Sequence, residues 1–131
     1  MEELLNYNFD ILDIKELVKN NPDLENIDKN DLNEKIRLLQ DIKCSKNEIR
    51  NILMVNPFYL SANITNISNL LKYLGELGFN NLNFLIDADP FILDLDIKEL
   101  ISKINKELLK GKKFEDLILE LETNPFLFNE I

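Results

Sequence analysis

The sequence predicts an all-α protein made of tandem helical repeats, an α-helical solenoid of about 3.5 units. Three observations carry this prediction: evenly spaced prolines, an apolar stripe before each proline, and a second apolar stripe after it. The four prolines are 35, 33 and 35 residues apart, and each follows Asn or Asp: Pro22, Pro57, Pro90 and Pro125. Such a period is typical of proteins whose units stack on one another to bury their apolar faces.

The first predicted helix of each unit ends at its proline. Apolar residues stand eight, five and four positions before every proline, on one helical stripe, and Glu120 is the one exception. Because the residue before a proline is driven out of the α region, the helix should stop there. A short apolar run follows three prolines, where a single 3₁₀ turn fits. We expect its first residues to lie in the core rather than to form a stacking platform for bases: Phe58, Phe91 and Phe126.

A second, longer helix follows each turn. Apolar residues recur ten, fourteen and seventeen positions after the proline, with a one-residue slip in the third unit. Gly78 and Gly111 stand where such a helix ends in a left-handed residue, and Lys43 takes the equivalent place in the first unit. The pair Ser45 and Glu48 forms a capping box that predicts the next helix start. The predicted helices span 13–20, 31–43, 46–55, 65–77, 81–88, 97–110 and 114–122.

The length and composition predict one folded domain. The chain has 131 residues, of which 45% are hydrophobic and 30% charged, a globular balance. We expect an N-terminal cap at 1–12, repeats at 13–44, 45–79 and 80–113, and a half repeat at 114–131. The half repeat has no second helix, so Phe128 and Ile131 are expected to form an apolar edge available for association.

The residue inventory argues against an enzyme or a metal protein. The chain has no histidine and one cysteine, Cys44, which excludes histidine-based catalysis, intrachain disulfides and zinc fingers. Its serines have no histidine to activate them, and three glycines make no phosphate-binding loop. Cys44 is interpreted as a small packing residue. The sequence therefore predicts a non-enzymatic protein without cofactor or metal.

A run of four aspartates in the third unit suggests a calcium loop at first sight. It comprises Asp87, Asp89, Asp94 and Asp96, but Ile92 and Lys98 occupy the positions where a calcium loop has glycine and glutamate. We interpret Asp89 as the helix stop before the proline. We interpret Asp96 as an N-cap whose box Glu99 completes.

The overall charge is acidic, with one basic segment. Acids outnumber Lys and Arg by 24 to 15, and the net charge of −9 repels nucleic acid and anionic lipid. No apolar run is long enough to span a membrane, and the absence of signal features predicts a cytoplasmic protein. Residues 98–113 carry a local charge of +4 and provide candidate phosphate contacts: Lys98, Lys103, Lys106, Lys110, Lys112 and Lys113. The alternative is a solvated helix face whose lysines suit the helix dipole.

The repeat also resembles a known family. A short helix, the run Asn56-Pro57-Phe58-Tyr59-Leu60, a longer helix and then Leu77-Gly78-Phe79 together resemble the motif of the mitochondrial transcription termination factor (mTERF) family. The resemblance extends from about residue 13 to the end of the chain. It implies units of two α-helices and a 3₁₀ turn, and proteins that bind nucleic acid in a basic groove and act in organellar gene expression.

Two function classes are consistent with the sequence. The resemblance favours a nucleic-acid-associated binding module that uses the lysine-rich third repeat. The acidic composition favours a protein-interaction module with no nucleic-acid binding. The sequence leaves both open.

Overall fold

The computed structural model describes residues 1–131 and contains only helices and their connections. The seven α-helices are α1 (Ile11–Asn20), α2 (Lys29–Asp41), α3 (Lys46–Val55), α4 (Ile64–Glu76), α5 (Leu82–Ala88), α6 (Ile97–Leu109) and α7 (Phe114–Thr123). Each lies within two residues of its predicted span. A 3₁₀ helix covers Glu2–Tyr7, and four more, the proline turns, are Pro22–Asn26, Pro57–Ser61, Pro90–Asp94 and Pro125–Asn129. The predicted all-α helical-repeat fold is confirmed.

Local hydrogen bonds set most helix starts. The predicted capping box at Ser45 is confirmed, since Ser45 Oγ accepts from the Glu48 N–H and Glu48 Oε1 accepts from the Ser45 N–H. Asp96 caps α6, but its carboxylate accepts from the Lys98 N–H at 3.3 Å. The box predicted for Asp96 and Glu99 is therefore wrong, because Asp96 binds the second amide of the helix and not the third.

Left-handed residues end the longer helices, as predicted. The φ angle is +91° at Gly78 and +94° at Gly111. Lys43, at the equivalent position of the first repeat, has a φ of +72° although it bears a side chain. A non-glycine residue rarely takes this conformation, so the backbone geometry of the repeat overrides the local preference of lysine here.

The chain forms two compact units, Met1–Ile64 and Thr65–Ile131. The division falls inside the second predicted repeat, 45–79, and not at a repeat boundary. In a repeat array each element contacts mainly its neighbours along the chain, so a division can fall within a repeat as readily as between two.

In the first unit, α1 packs against α3 and the Pro57 turn packs against α2. The 3₁₀ helix Glu2–Tyr7 contacts α3. A bidentate ion pair fastens α1 to α3, because Arg50 Nη2 and Nε donate to the two carboxylate oxygens of Asp13 at 2.8 and 3.2 Å. This contact lowers the pKa of the Asp13 carboxyl, mainly through the hydrogen bond from Arg50.

Two of the residues that precede a proline also link neighbouring repeats. Asn21 is buried, and its Nδ2 donates to Ser61 Oγ at 2.6 Å and to the Pro57 carbonyl at 3.2 Å. In the second unit, Asn129 Nδ2 donates to Asp89 Oδ2 at 3.4 Å. Ser61 and Asn129 both stand four residues after a proline, so each unit contains the same link between the pre-proline residue of one repeat and the proline turn of the next.

A buried lysine and a buried tyrosine join α2 to the Pro57 turn. Lys35 Nζ donates to the carbonyls of Leu60 and Ala62 at 3.1 and 2.6 Å. Tyr59 Oη donates in return to the Lys35 carbonyl at 2.6 Å. Burial lowers the pKa of the Lys35 ammonium and raises the pKa of the Tyr59 phenol.

The burial of Tyr59 predicts a loss of stability at alkaline pH. Above the ordinary tyrosine pKa of 10.0 the phenol ionises in the unfolded chain and stays protonated in the folded one, so unfolding is favoured as pH rises. Relative to Tyr59→Phe, the wild type should lose about 1.4 kcal/mol of its free energy of unfolding for each pH unit above pH 10. Urea unfolding of both proteins from pH 8 to 11 measures this, and a difference independent of pH would contradict it.

The aromatic residues that directly follow the prolines point to solvent, so the prediction that they lie in the core is wrong. Phe58, Phe91 and Phe126 are 57%, 49% and 57% exposed. The next positions are buried instead, with Tyr59 and Leu60 in one turn and Ile92 and Leu93 in another. A 3₁₀ helix has three residues per turn, so neighbouring side chains diverge by a third of a turn and the residue after the proline faces away from the core.

The C-terminal apolar edge predicted at Phe128 is also wrong. Phe128 is completely buried, and its ring lies 5.9 Å from that of Phe79 at an angle of 44°. Ile131 is half-buried. Phe79, from the Leu-Gly-Phe segment between α4 and α5, covers the last turn in place of a second helix.

Candidate nucleic-acid interface

The predicted basic segment is α6 and the turn that follows it. Asp96 caps the start of α6, and Leu100 and Ile104 bury one side of the helix in the core of the second unit. The next residue after Leu100, Ile101, is exposed, because successive side chains on an α-helix point more than a quarter turn apart. Gly111 reverses the chain into α7. The candidate residues thus lie on one short segment held by a buried apolar stripe.

We call the six candidates the α6 lysine cluster, and they differ in exposure. Lys98 and Lys106 lie on the outer side of α6, two turns apart, while Lys110 and Lys113 are exposed in the turn. Lys103 and Lys112 are half-buried. Lys103 occupies the repeat position of the buried residues Lys35 and Leu70, which explains why its stem is partly covered.

Two lysines of the cluster are already paired with carboxylates. Lys110 Nζ lies 3.2 Å from Glu107 Oε1, and Lys112 Nζ lies 2.8 Å from Glu120 Oε2. The hydrogen bond that Lys112 donates to Glu120 raises the pKa of the Lys112 ammonium. Both pairs are accessible to solvent, where such pairs contribute little and a phosphate can compete with the carboxylate. The other four lysines have no carboxylate within ion-pair distance: Lys98, Lys103, Lys106 and Lys113.

A shallow groove between α4 and α6 adjoins the start of the cluster. It has a volume of about 270 Å³ and is lined by Asn69, Lys72, Tyr73, Glu76 and Ile97. Lys72 is exposed and was not predicted as a site residue, because α4 contains no run of basic residues that would mark it. The groove brings this lysine near Ile97 in the first turn of α6, the residue that precedes Lys98 in the sequence.

The remaining candidates behave as ordinary structural residues. Asp89 Oδ1 accepts from the Phe91 N–H at 3.2 Å, which is the helix-end role predicted for it. The structure contains no group of three or more side chains placed to hold a metal ion. Cys44 is half-buried between α2 and α3. None of the helices combines the length and the apolar content that crossing a membrane requires.

Fold and site together define a helical-repeat protein with proline turns and one lysine-rich helix. The model of the mTERF family matches residues 1–118 of the 131, so the chain belongs to the mTERF family. The family consists of helical-repeat proteins that bind nucleic acids. No curated protein matches the chain significantly.

Proposed function

We propose that this protein is a non-enzymatic nucleic-acid-binding module that contacts phosphates through the α6 lysine cluster. The observation that carries the proposal is the presence of four lysines without a carboxylate partner on one helix and its turn. Membership in a family of nucleic-acid-binding repeat proteins supports it. The module holds the strand, and no side-chain arrangement in it is suited to nucleophilic or acid–base chemistry.

The charge distribution limits how the protein approaches a strand. The net charge is −9, so the protein as a whole repels a polyanion, while this segment, with its local charge of +4, attracts one. Lys98 and Lys106 are two helical turns apart on the outer side of α6, and Lys113 extends the basic surface past the turn. Lysine contacts phosphate as a point charge, so we expect little sequence preference.

Binding should weaken steeply with salt because each neutralised phosphate releases a counterion. With about four contacts, the slope of log K against log salt should be near −3. The triple variant Lys98→Ala, Lys106→Ala, Lys113→Ala should reduce the magnitude of this slope by about two to three. Fluorescence anisotropy with labelled single- and double-stranded DNA and RNA, from about 50 mM salt upward, measures both values.

The first unit provides a matched control. Lys15, Lys19 and Lys46 are exposed on α1 and α3, and their triple replacement by alanine changes the net charge from −9 to −12, as the α6 variant does. We expect the control variant to keep most of the slope. Equal losses in the two variants would mean that overall charge, and not the cluster, governs binding. No binding to any of the strands at low salt would overturn the proposed function.

A further inference from the structure

The two units differ at the seam between the two short helices that end at prolines, α1 and α3 in the first unit and α5 and α7 in the second. In the first unit, the seam between α1 and α3 is closed by the bidentate pair of Arg50 and Asp13. The equivalent positions carry Asn81, directly before α5, and Ile118 on α7, which cannot form such a pair. The seam between α5 and α7 has no such ion pair, and a groove runs along it. At one end of the groove the Asn80 N–H donates to Glu122 Oε1 at 2.8 Å, which leaves the second oxygen of this carboxylate for a partner.

The groove consists of two adjoining hollows. One, of about 250 Å³, is lined by Asn81, Phe84, Leu85, Leu119, Glu122 and Thr123. The other, of about 390 Å³, includes Leu77, Phe114 and Ile118 among its walls, and it shares Leu119 and Glu122 with the first. Both are of a size to take an apolar side chain of a docked segment.

The exposed apolar residues of the groove occur only in the second unit and leave apolar surface in contact with water. Phe84 and Leu119 stand six residues before their prolines and are 59% and 62% exposed. The same position on α1 and α3 carries Glu16 and Asn51, which are polar and exposed. The repeat therefore requires no large apolar group here, and adjacent exposed apolar groups on one groove mark an interaction surface.

The charge of the groove selects its partner. On α7, Glu115, Leu119 and Glu122 stand at i, i+4 and i+7, so two carboxylates flank the apolar residue on one stripe. Neither hollow has a lysine or arginine among its lining residues. We infer that the groove between α5 and α7 docks a basic amphipathic helical segment of a partner protein. Its apolar residues fill the two hollows, and its lysines or arginines face Glu115 and Glu122.

Other occupants fit the charge less well. A nucleic-acid strand would bring phosphates against Glu115 and Glu122. A second copy of this chain would bring another net charge of −9 toward an acidic groove, and the apolar side of its own basic helix α6 is already buried through Leu100 and Ile104. The groove shares no residue with the α6 lysine cluster, whose last member, Lys113, directly precedes α7. The inference therefore does not rest on the proposed nucleic-acid binding.

The test uses two synthetic helical peptides of about 18 residues, or five turns. One is built of Leu and Lys in amphipathic order, and the other has Glu in place of Lys. Amide shifts of the ¹⁵N-labelled whole chain should change at α5, α7 and residues 77–80 on addition of the Leu–Lys peptide only. Shifts elsewhere, or equal binding of the Leu–Glu peptide, would overturn the inference, as would no binding.

Substitutions taken from the chain's own repeats refine the test. Phe84→Asn and Leu119→Glu introduce the residues that α3 and α1 carry at this position, so the fold should tolerate them. Together they should weaken the Leu–Lys peptide about tenfold or more, and Glu115→Gln about twofold to threefold at low salt. Phe58→Asn, which changes an equally exposed phenylalanine outside the groove, should leave the affinity unchanged.

Two further results would contradict the proposed docking of a basic helix in the groove. Equal affinity in the wild type and in the double variant would show that the peptide binds elsewhere. A dimer of the wild type in sedimentation that the double variant dissociates would give the groove to a second copy of the chain. Either result overturns the inference, and a monomer at the concentrations used for the titration agrees with it.

Discussion

Replacing Leu53 or Ile86 by alanine is expected to lower the free energy of unfolding by about 2 to 5 kcal/mol. Both side chains are fully buried, Leu53 on α3 in the first unit and Ile86 on α5 in the second. Each stands four residues before a proline, so the same repeat position is tested in both units. Urea denaturation followed by circular dichroism measures the change.

An exposed residue supplies the control for these variants. Leu12 is 73% exposed, so Leu12→Ala should change the free energy of unfolding by less than about 0.5 kcal/mol. If the alanine variants prove too unstable to measure, Ile86→Val should still cost about 0.5 to 1.5 kcal/mol. A loss at Leu53 as small as that at Leu12 would remove this position from the core.

Lys35→Ala is expected to lower the free energy of unfolding by about 2 to 4 kcal/mol. The change leaves the Leu60 and Ala62 carbonyls without the donor at 3.1 and 2.6 Å and removes the buried stem of the side chain. Lys35→Met keeps the stem and removes only the donor, so about 1 to 2 kcal/mol should remain. Thermal and urea unfolding of both variants separate the two contributions.

The control for the buried Lys35 is a lysine that is exposed to solvent. Lys19, at the end of α1, is exposed, and Lys19→Ala should stay within about 0.5 kcal/mol of the wild type. If Lys35→Met were as stable as the wild type, the hydrogen bonds to the Pro57 turn would contribute nothing net, because the cost of burying the ammonium would equal their gain.

The positions of the helices follow from the sequence because local interactions set them. A proline excludes the residue before it from the helix, a serine or aspartate caps amides at most three residues away, and glycine accepts the left-handed turn at Gly78. The spacing of the apolar residues then places Leu53 and Ile86 inside. The lysines of α6 could likewise be located on one helix from their spacing alone.

Only the tertiary structure decides which groups share a surface. The apolar run after each proline does not show that Tyr59 is buried and Phe58 exposed, because that depends on how the turn faces the helices around it. The ammonium of Lys35 is buried because two carbonyls of the next repeat accept its hydrogen bonds there. The seam between α1 and α3 is closed by Arg50 and Asp13, which are about 40 positions apart in the sequence. Whether the seam between α5 and α7 carries a groove instead depends on residues equally far apart. Contacts of that range are set by the packing of whole repeats, which local spacing does not encode.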